Sequence, residues 1–361
     1  YGVHPRTHVR GVLWYGVKLM ATITKHRLLG LCLALLGMGV FFATGGDALA
    51  QPVSPEAARK EGKVVVYGTI VPQIMSVIQK GFEAKYGIKV EYWRADATKV
   101  IDRALTEWRT GRPGFDVVTG TRGGLILLKQ EGVFAKHFPA AAESFPVKFR
   151  DKDGQLTAWR VTSVGVLYNT ELVGSGEIPR SLDDLLDAKW QGKIAIPNPS
   201  QHSSTAQFLW NLEKLKGEKW LDFVKAFARQ KPHMMDSFAP IPSAIIRGET
   251  PLGITYLQYV VQQKGPIGYA PLDKYLTDPT DIGLSAKAAN PNAGKIFMEY
   301  ICSPEGQKRV AETGEFVLSP GIYPALKDAE KVAANFVFMD NPTVEQLKKL
   351  QGEFRQIFFG P

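Results

Sequence analysis

The sequence predicts an α/β protein in which mostly parallel strands are covered by helices on both faces. Three observations carry that expectation. Short β-rich runs and amphipathic helical stripes alternate along the chain. The 361 residues, 45% hydrophobic and 22% charged, suffice for two domains with separate cores. Turn signals rather than repeats or low-complexity tracts divide the segments, so the elements are individual and not copies of one unit.

Taken in order, residues 63–67 (KVVVY) form a first strand that ends at Gly68-Thr69. After Pro72, Ile74, Ile78 and Phe82 recur every four residues, the apolar stripe of a helix with proline in its first turn. Residues 88–93 (IKVEYW) alternate as a strand does. Val100, Ile101, Ala104, Leu105 and Trp108 mark a helix stopped before Gly111. A third strand, 115–118 (FDVV), runs into Thr119-Gly120-Thr121-Arg122-Gly123-Gly124 and a helix ending near Gly132. Strand and helix in strict alternation imply a parallel sheet. Beyond the turn at Asp151-Lys152-Asp153-Gly154, residues 158–169 (AWRVTSVGVLYN) read as one long extended segment. Ser181 and Asp184 suggest a capping box. Residues 193–196 are the next strand, with a loop to Thr205 and helices marked by Phe208, Leu212, Trp220, Val224 and Phe227. Residues 252–256 (LGITY) and 267–271 are short strands around a helix bearing Tyr259, and Ser303-Pro304 opens a helix that Gly314 stops.

The first 50 residues are of another kind. Lys25, His26 and Arg27 precede an uncharged apolar run, 28–43, and Ala48-Leu49-Ala50 supplies a small-x-small cleavage pattern. Residues 20–50 are therefore expected to be a cleavable signal peptide that takes the protein to the periplasm. Met20 is the expected start, which makes residues 1–19 an upstream or non-native segment. Cleavage after Ala50 leaves Cys302 alone, so no internal disulfide is expected. The formal charge of +9 falls once Arg6, Arg10, Lys18, Lys25 and Arg27 are removed against Asp47. No basic run suited to nucleic acid is present.

In open α/β sheets ligands sit beyond the carboxyl ends of strands. Four loops qualify: 68–71, 119–124, 198–205 and 255–259. Thr121 and Arg122 with two glycines combine a planar cation, a helix N-terminus and close backbone approach, all suited to an anion. Ser203, Ser204 and Thr205 are more hydroxyls than one helix cap needs. Tyr256 and Tyr259 could stack on a ligand or donate to it, and Trp159 with Arg160 poses the same choice near the passage between lobes. His137, His202 and His233 show no metal-ligand spacing, and neither a nucleophile elbow nor a phosphate loop occurs. No catalytic residues, metal site or cofactor are expected, and the protein is not expected to be an enzyme.

EGKVVVYG at 61–68, FEAKYGIKV at 82–90, FDVV at 115–118, VGVLYNT at 164–170, WQGKIAIPNP at 190–199 and SPEGQ at 303–307 occur in order. This set resembles the extracellular solute-binding proteins of ABC importers, in the type II periplasmic-binding group that includes ferric-ion binders. The resemblance implies two lobes joined by crossover strands: 51–160 as the first part of lobe 1, 161–268 as lobe 2, and 269–361 as the return with C-terminal helices. It also implies a monomer that closes on its solute and delivers it to the permease's transmembrane subunits. Thr69, Thr121, Arg122 and Trp159 would meet Ser203, Ser204, Thr205, Tyr256 and Tyr259 across the cleft. Ferric-ion binders carry a His in the first loop and an acid in the second, where this chain has Ile70-Val71 and Thr121-Arg122. The expected solute is a small anion; the alternatives are chelated ferric iron or a cationic thiamine-like compound, and more distantly a secreted enzyme on a bilobal fold.

Overall fold

The structure, a computed structural model, describes residues 53–95 and 97–360. The expected signal peptide lies outside the described residues. After α1 (Pro55–Glu61) the chain alternates as β1 (Lys63–Gly68), α2 (Pro72–Tyr86), β2 (Lys89–Arg94), α3 (Ala97–Arg109), β3 (Val117–Thr121) and α4 (Arg122–Gln130). The long β4 (Thr157–Asn169) leads to β5 (Ile194–Pro197), α5 (Ser203–Trp210), α6 (Glu213–Lys216), α7 (Trp220–Arg229) and β6 (His233–Met235). Then come α8 (Ile241–Ile246), β7 (Leu252–Tyr256), α9 (Tyr259–Gln262), β8 (Ile267–Tyr269) and β9 (Tyr275–Leu284). The chain finishes with α10 (Pro291–Cys302), α11 (Pro304–Ala311), β10 (Phe316–Val317), α12 (Ala329–Ala334), β11 (Phe336–Phe338) and α13 (Val344–Phe359).

The helices form where the apolar spacing places them. In α2, Ile74, Met75, Ile78 and Phe82 are buried on one stripe, and Gly87 at φ +67° ends the helix by donating to Glu83. Ser303 caps α11 by accepting the Gly306 N–H at 3.2 Å. Ser303→Ala is expected to cost about 1 kcal/mol of stability in urea unfolding. An effect near zero would mean that water replaces the cap.

One sheet runs β2-β1-β3-β9-β4-β7-β5-β6, with β8 and β10 also on β4 and β11 on β9. Its two ends are parallel, β2-β1-β3 at one and β7-β5-β6 at the other. The middle ladders are antiparallel. β4 joins the halves: residues 157–163 pair with β9, and residues 164–168 pair with β7. The two lobes are thus two ends of one sheet bridged by β4. Of residues 269–361, α10 and α11 pack on the first lobe while α13 packs against α5 and α7 of the second.

β9 is a strand that local pattern does not predict, because its sequence YLTDPTDIGL carries a central proline and two acids. Proline is foreign to central strands because it lacks a donor. Here β11 pairs with residues 275–277 and β3 with 280–284, so Pro279 falls in the gap between those partners and faces only β4, opposite Val161. Cys302 is buried as a free thiol.

Candidate functional site

All four candidate loops open onto one cleft of about 520 Å³ between the lobes. Lobe 1 contributes Thr69 after β1, Arg94 at the end of β2 and Thr121 at the end of β3. Lobe 2 contributes His202, Ser203 and Ser204 before and at the start of α5, Asp236 and Ser237 after β6, and Tyr256 and Tyr259 around the end of β7. Arg160 and Thr162 of β4, Thr280 of β9 and Glu315 also line it. This is the carboxyl-end rule applied twice, once for each parallel edge.

The α5 N-terminus is arranged differently from expectation. A histidine, not a hydroxyl, caps it: His202 Nδ1 accepts the Thr205 N–H at 3.3 Å and lies 2.8 Å from Thr205 Oγ1. A backbone N–H can only donate, so the network assigns the ring proton to Nε2. Burial holds the His202 pKa below its ordinary value. At neutral pH the imidazole is therefore an uncharged Nε2–H donor. Thr205 is fully buried and committed to this cap, so it does not line the cleft. Ser203 and Ser204 keep hydroxyls that the cap does not use. Thr121 likewise precedes α4 without a side-chain cap bond.

Tyr256 packs on Phe238 with ring centroids 4.5 Å apart and lies 6.1 Å from Tyr259. Burial pushes the Tyr256 phenol well above its usual range and Tyr259 up to about 12. Both enter the cleft as protonated donors. The Arg160 guanidinium donates to Glu315 Oε2 at 2.5 Å, and Gln262 donates to Glu315 Oε1 at 3.1 Å. Arg94 is exposed at the end of its strand, and no ion pair of it occurs among the described residues.

Two more expected residues are turned elsewhere. Arg122 donates from Nε and one terminal nitrogen to both oxygens of Asp281, at 2.7 and 2.9 Å, and also to the Phe149 carbonyl. The Asp281 side chain is 0% exposed, so this cation balances a buried acid. Trp159 is fully buried, its Nε1 donating to Thr119 Oγ1 at 3.1 Å. The glycines after Arg122 serve packing: a Cβ on Gly123 would meet Asn341 Oδ1 at 2.6 Å, and one on Gly124 would meet Ile101 at 2.8 Å. Arg94 was overlooked, although its place at the carboxyl end of a strand was the signal available. A hollow of about 550 Å³ beside Arg122 is slightly larger than the cleft, but Arg122 is tied to Asp281 there and Lys129 to Asp151 and Asp153. We take the cleft as the site because both lobes and all four loops supply it.

Among the described residues no group of three or more His, Cys, Asp and Glu side chains could hold a metal ion. The family model "Bacterial extracellular solute-binding protein" matches residues 78–339. An Fe(3+)-binding periplasmic protein of Serratia marcescens is 22% identical over 283 residues, 74% of this chain and 81% of that one. The substrate-binding protein of an ABC transporter from Agrobacterium tumefaciens superposes with a TM-score of 0.71 at 18% identity, covering 82% of this chain and 94% of the other. AfuA of Actinobacillus pleuropneumoniae, solved with fructose-6-phosphate, does so with a TM-score of 0.64 at 20% identity, covering 82% and 96%.

Proposed function

The chain belongs to the bacterial extracellular solute-binding proteins, and from that premise we propose that it captures a small anion in the cleft between its lobes. Its family and fold are those of substrate-binding components of ABC importers, which take up a small ligand and hand it to a membrane permease. We place it in the periplasm, as its relatives' location and the apolar run 28–43 support, and propose that it acts as a monomer.

The observation that carries the anion reading is the balance of donors. The cleft collects the Thr69, Thr121, Ser203 and Ser204 hydroxyls, two protonated phenols, the His202 Nε2–H and the Arg94 guanidinium. Of the two acids that line it, Glu315 is buried and already paired with Arg160, and Asp236 is exposed to solvent. Burying an anion costs heavily unless such donors converge on it. Arg94 takes the charge-neutralising role first expected of Arg122, and capture is closure of the lobes with no bond chemistry.

A thermal-shift panel of sulfate, sugar phosphates and carboxylates tests this. A ligand at a hundred times its Kd should stabilise the folded state by about 2.7 kcal/mol. Arg94→Ala should weaken the best anion by about 10- to 100-fold, the worth of a charged hydrogen bond. Unchanged affinity would remove Arg94 from the reading.

A second reading is ferric iron, bare or chelated, favoured by the adjacent Tyr256 and Tyr259 and by the relative described as Fe(3+)-binding. Iron would have to displace two phenolic protons that burial holds in place. A ferric–phenolate absorption band on adding ferric citrate, lost in Tyr256→Phe, would favour iron over a free anion.

A further inference from the structure

Asp278 lies on β9 opposite Thr162 of β4. Directly opposed residues of an antiparallel ladder share a face, as do residues two apart on one strand. Thr162 and Thr280 both line the cleft, so Asp278 sits on the cleft face between them. It is 5% exposed, and its buried Oδ1 has no hydrogen-bond partner among the described residues. Buried polar atoms are nearly always paired, so an orphan carboxyl oxygen beneath a binding cleft asks for an explanation.

We infer that Asp278 couples this cleft to protons: a captured anion brings one solvent proton onto its carboxyl, so a neutral acid rather than a carboxylate lies beneath the bound solute. The inference rests on the anion reading above.

The surroundings support it. Asp278 influences Tyr256 of β7, whose protonated phenol lines the cleft above it. Burial, then the like charge of Asp281, push the Asp278 carboxyl up to about 7, with Arg122 of α4 acting the other way. Nearby on β4, Arg160 is held by Glu315. Of the other titratable groups lining the cleft, His202 is shifted down rather than up, while Arg94 at the end of β2 and Asp236 after β6 are exposed. A second negative charge entering the cleft must favour the protonated carboxyl. Affinity then falls as pH rises, because the free protein must regain a proton that it has already lost.

The test uses sulfate and glucose 6-sulfate, neither of which titrates near neutrality. Calorimetry in two buffers of different ionisation heat counts protons directly on the wild-type protein. Uptake approaching one proton per anion is expected above about pH 7, with affinity falling up to about tenfold per pH unit. Asp278→Asn, nearly isosteric, should bind with no pH dependence and no uptake in that range. Binding without proton uptake, or uptake that persists in Asp278→Asn, overturns the coupling while leaving the anion reading intact. Binding of neither probe to wild type or variant, alongside failure of the wider anion panel, removes the anion reading and this inference with it.

Discussion

Replacing Arg160 by Met is expected to lower stability by about 3–5 kcal/mol, because it leaves one member of a buried ion pair without the other. The two side chains are 9% and 2% exposed, and among the described residues Gln262 alone would remain to donate to the Glu315 carboxylate. The double change Arg160→Met with Glu315→Gln should recover much of the loss, since removing both charges removes the desolvation cost as well. Guanidinium unfolding of the unliganded single and double variants measures this. A single-variant loss below about 1 kcal/mol would mean that water reaches Glu315 and that the pair is not sealed. The pair also closes the cleft floor, so it withdraws an acid that would otherwise repel an anion.

Arg122→Ala is the second large effect, and its two readouts separate what the loop sequence suggested from what the fold does with it. Stability is expected to fall by about 3 kcal/mol, because Asp281 loses both of its guanidinium bonds inside the protein. The value lies at the low end of buried pairs because the Arg122 side chain is 22% exposed. Affinity for the best anion of the thermal-shift panel should stay within about twofold of the wild type, a difference small on the scale of one charged hydrogen bond. Unfolding and calorimetry on the same variant measure both. A collapse of affinity with stability unchanged would return Arg122 to the ligand and displace Arg94. The two arginines therefore make a crossed pair of experiments: one loses stability and keeps binding, the other the reverse.

Much of the architecture was legible from local pattern. Ile74, Ile78 and Phe82 could only be one buried helical stripe, and the run from 158 to 169 could only be extended. β9 was illegible because Pro279, Asp278 and Asp281 oppose a central strand on every local criterion. What accommodates them is non-local: the break between β3 and β11 receives the proline, and Arg122 receives Asp281. The cap of α5 misled for a related reason. Three consecutive hydroxyls read as cap and spare donors, yet the preceding His202 took the cap through Thr205.

The chain alone determined the alternation of strand and helix and the four loops at strand ends, because periodicity and turn chemistry act between near neighbours. Only the tertiary structure decided which side chain of each loop meets the cleft. Arg122 and Asp281 stand 159 positions apart. A guanidinium goes to the nearest buried carboxylate, and which carboxylate is nearest is set by how the strands are laid side by side.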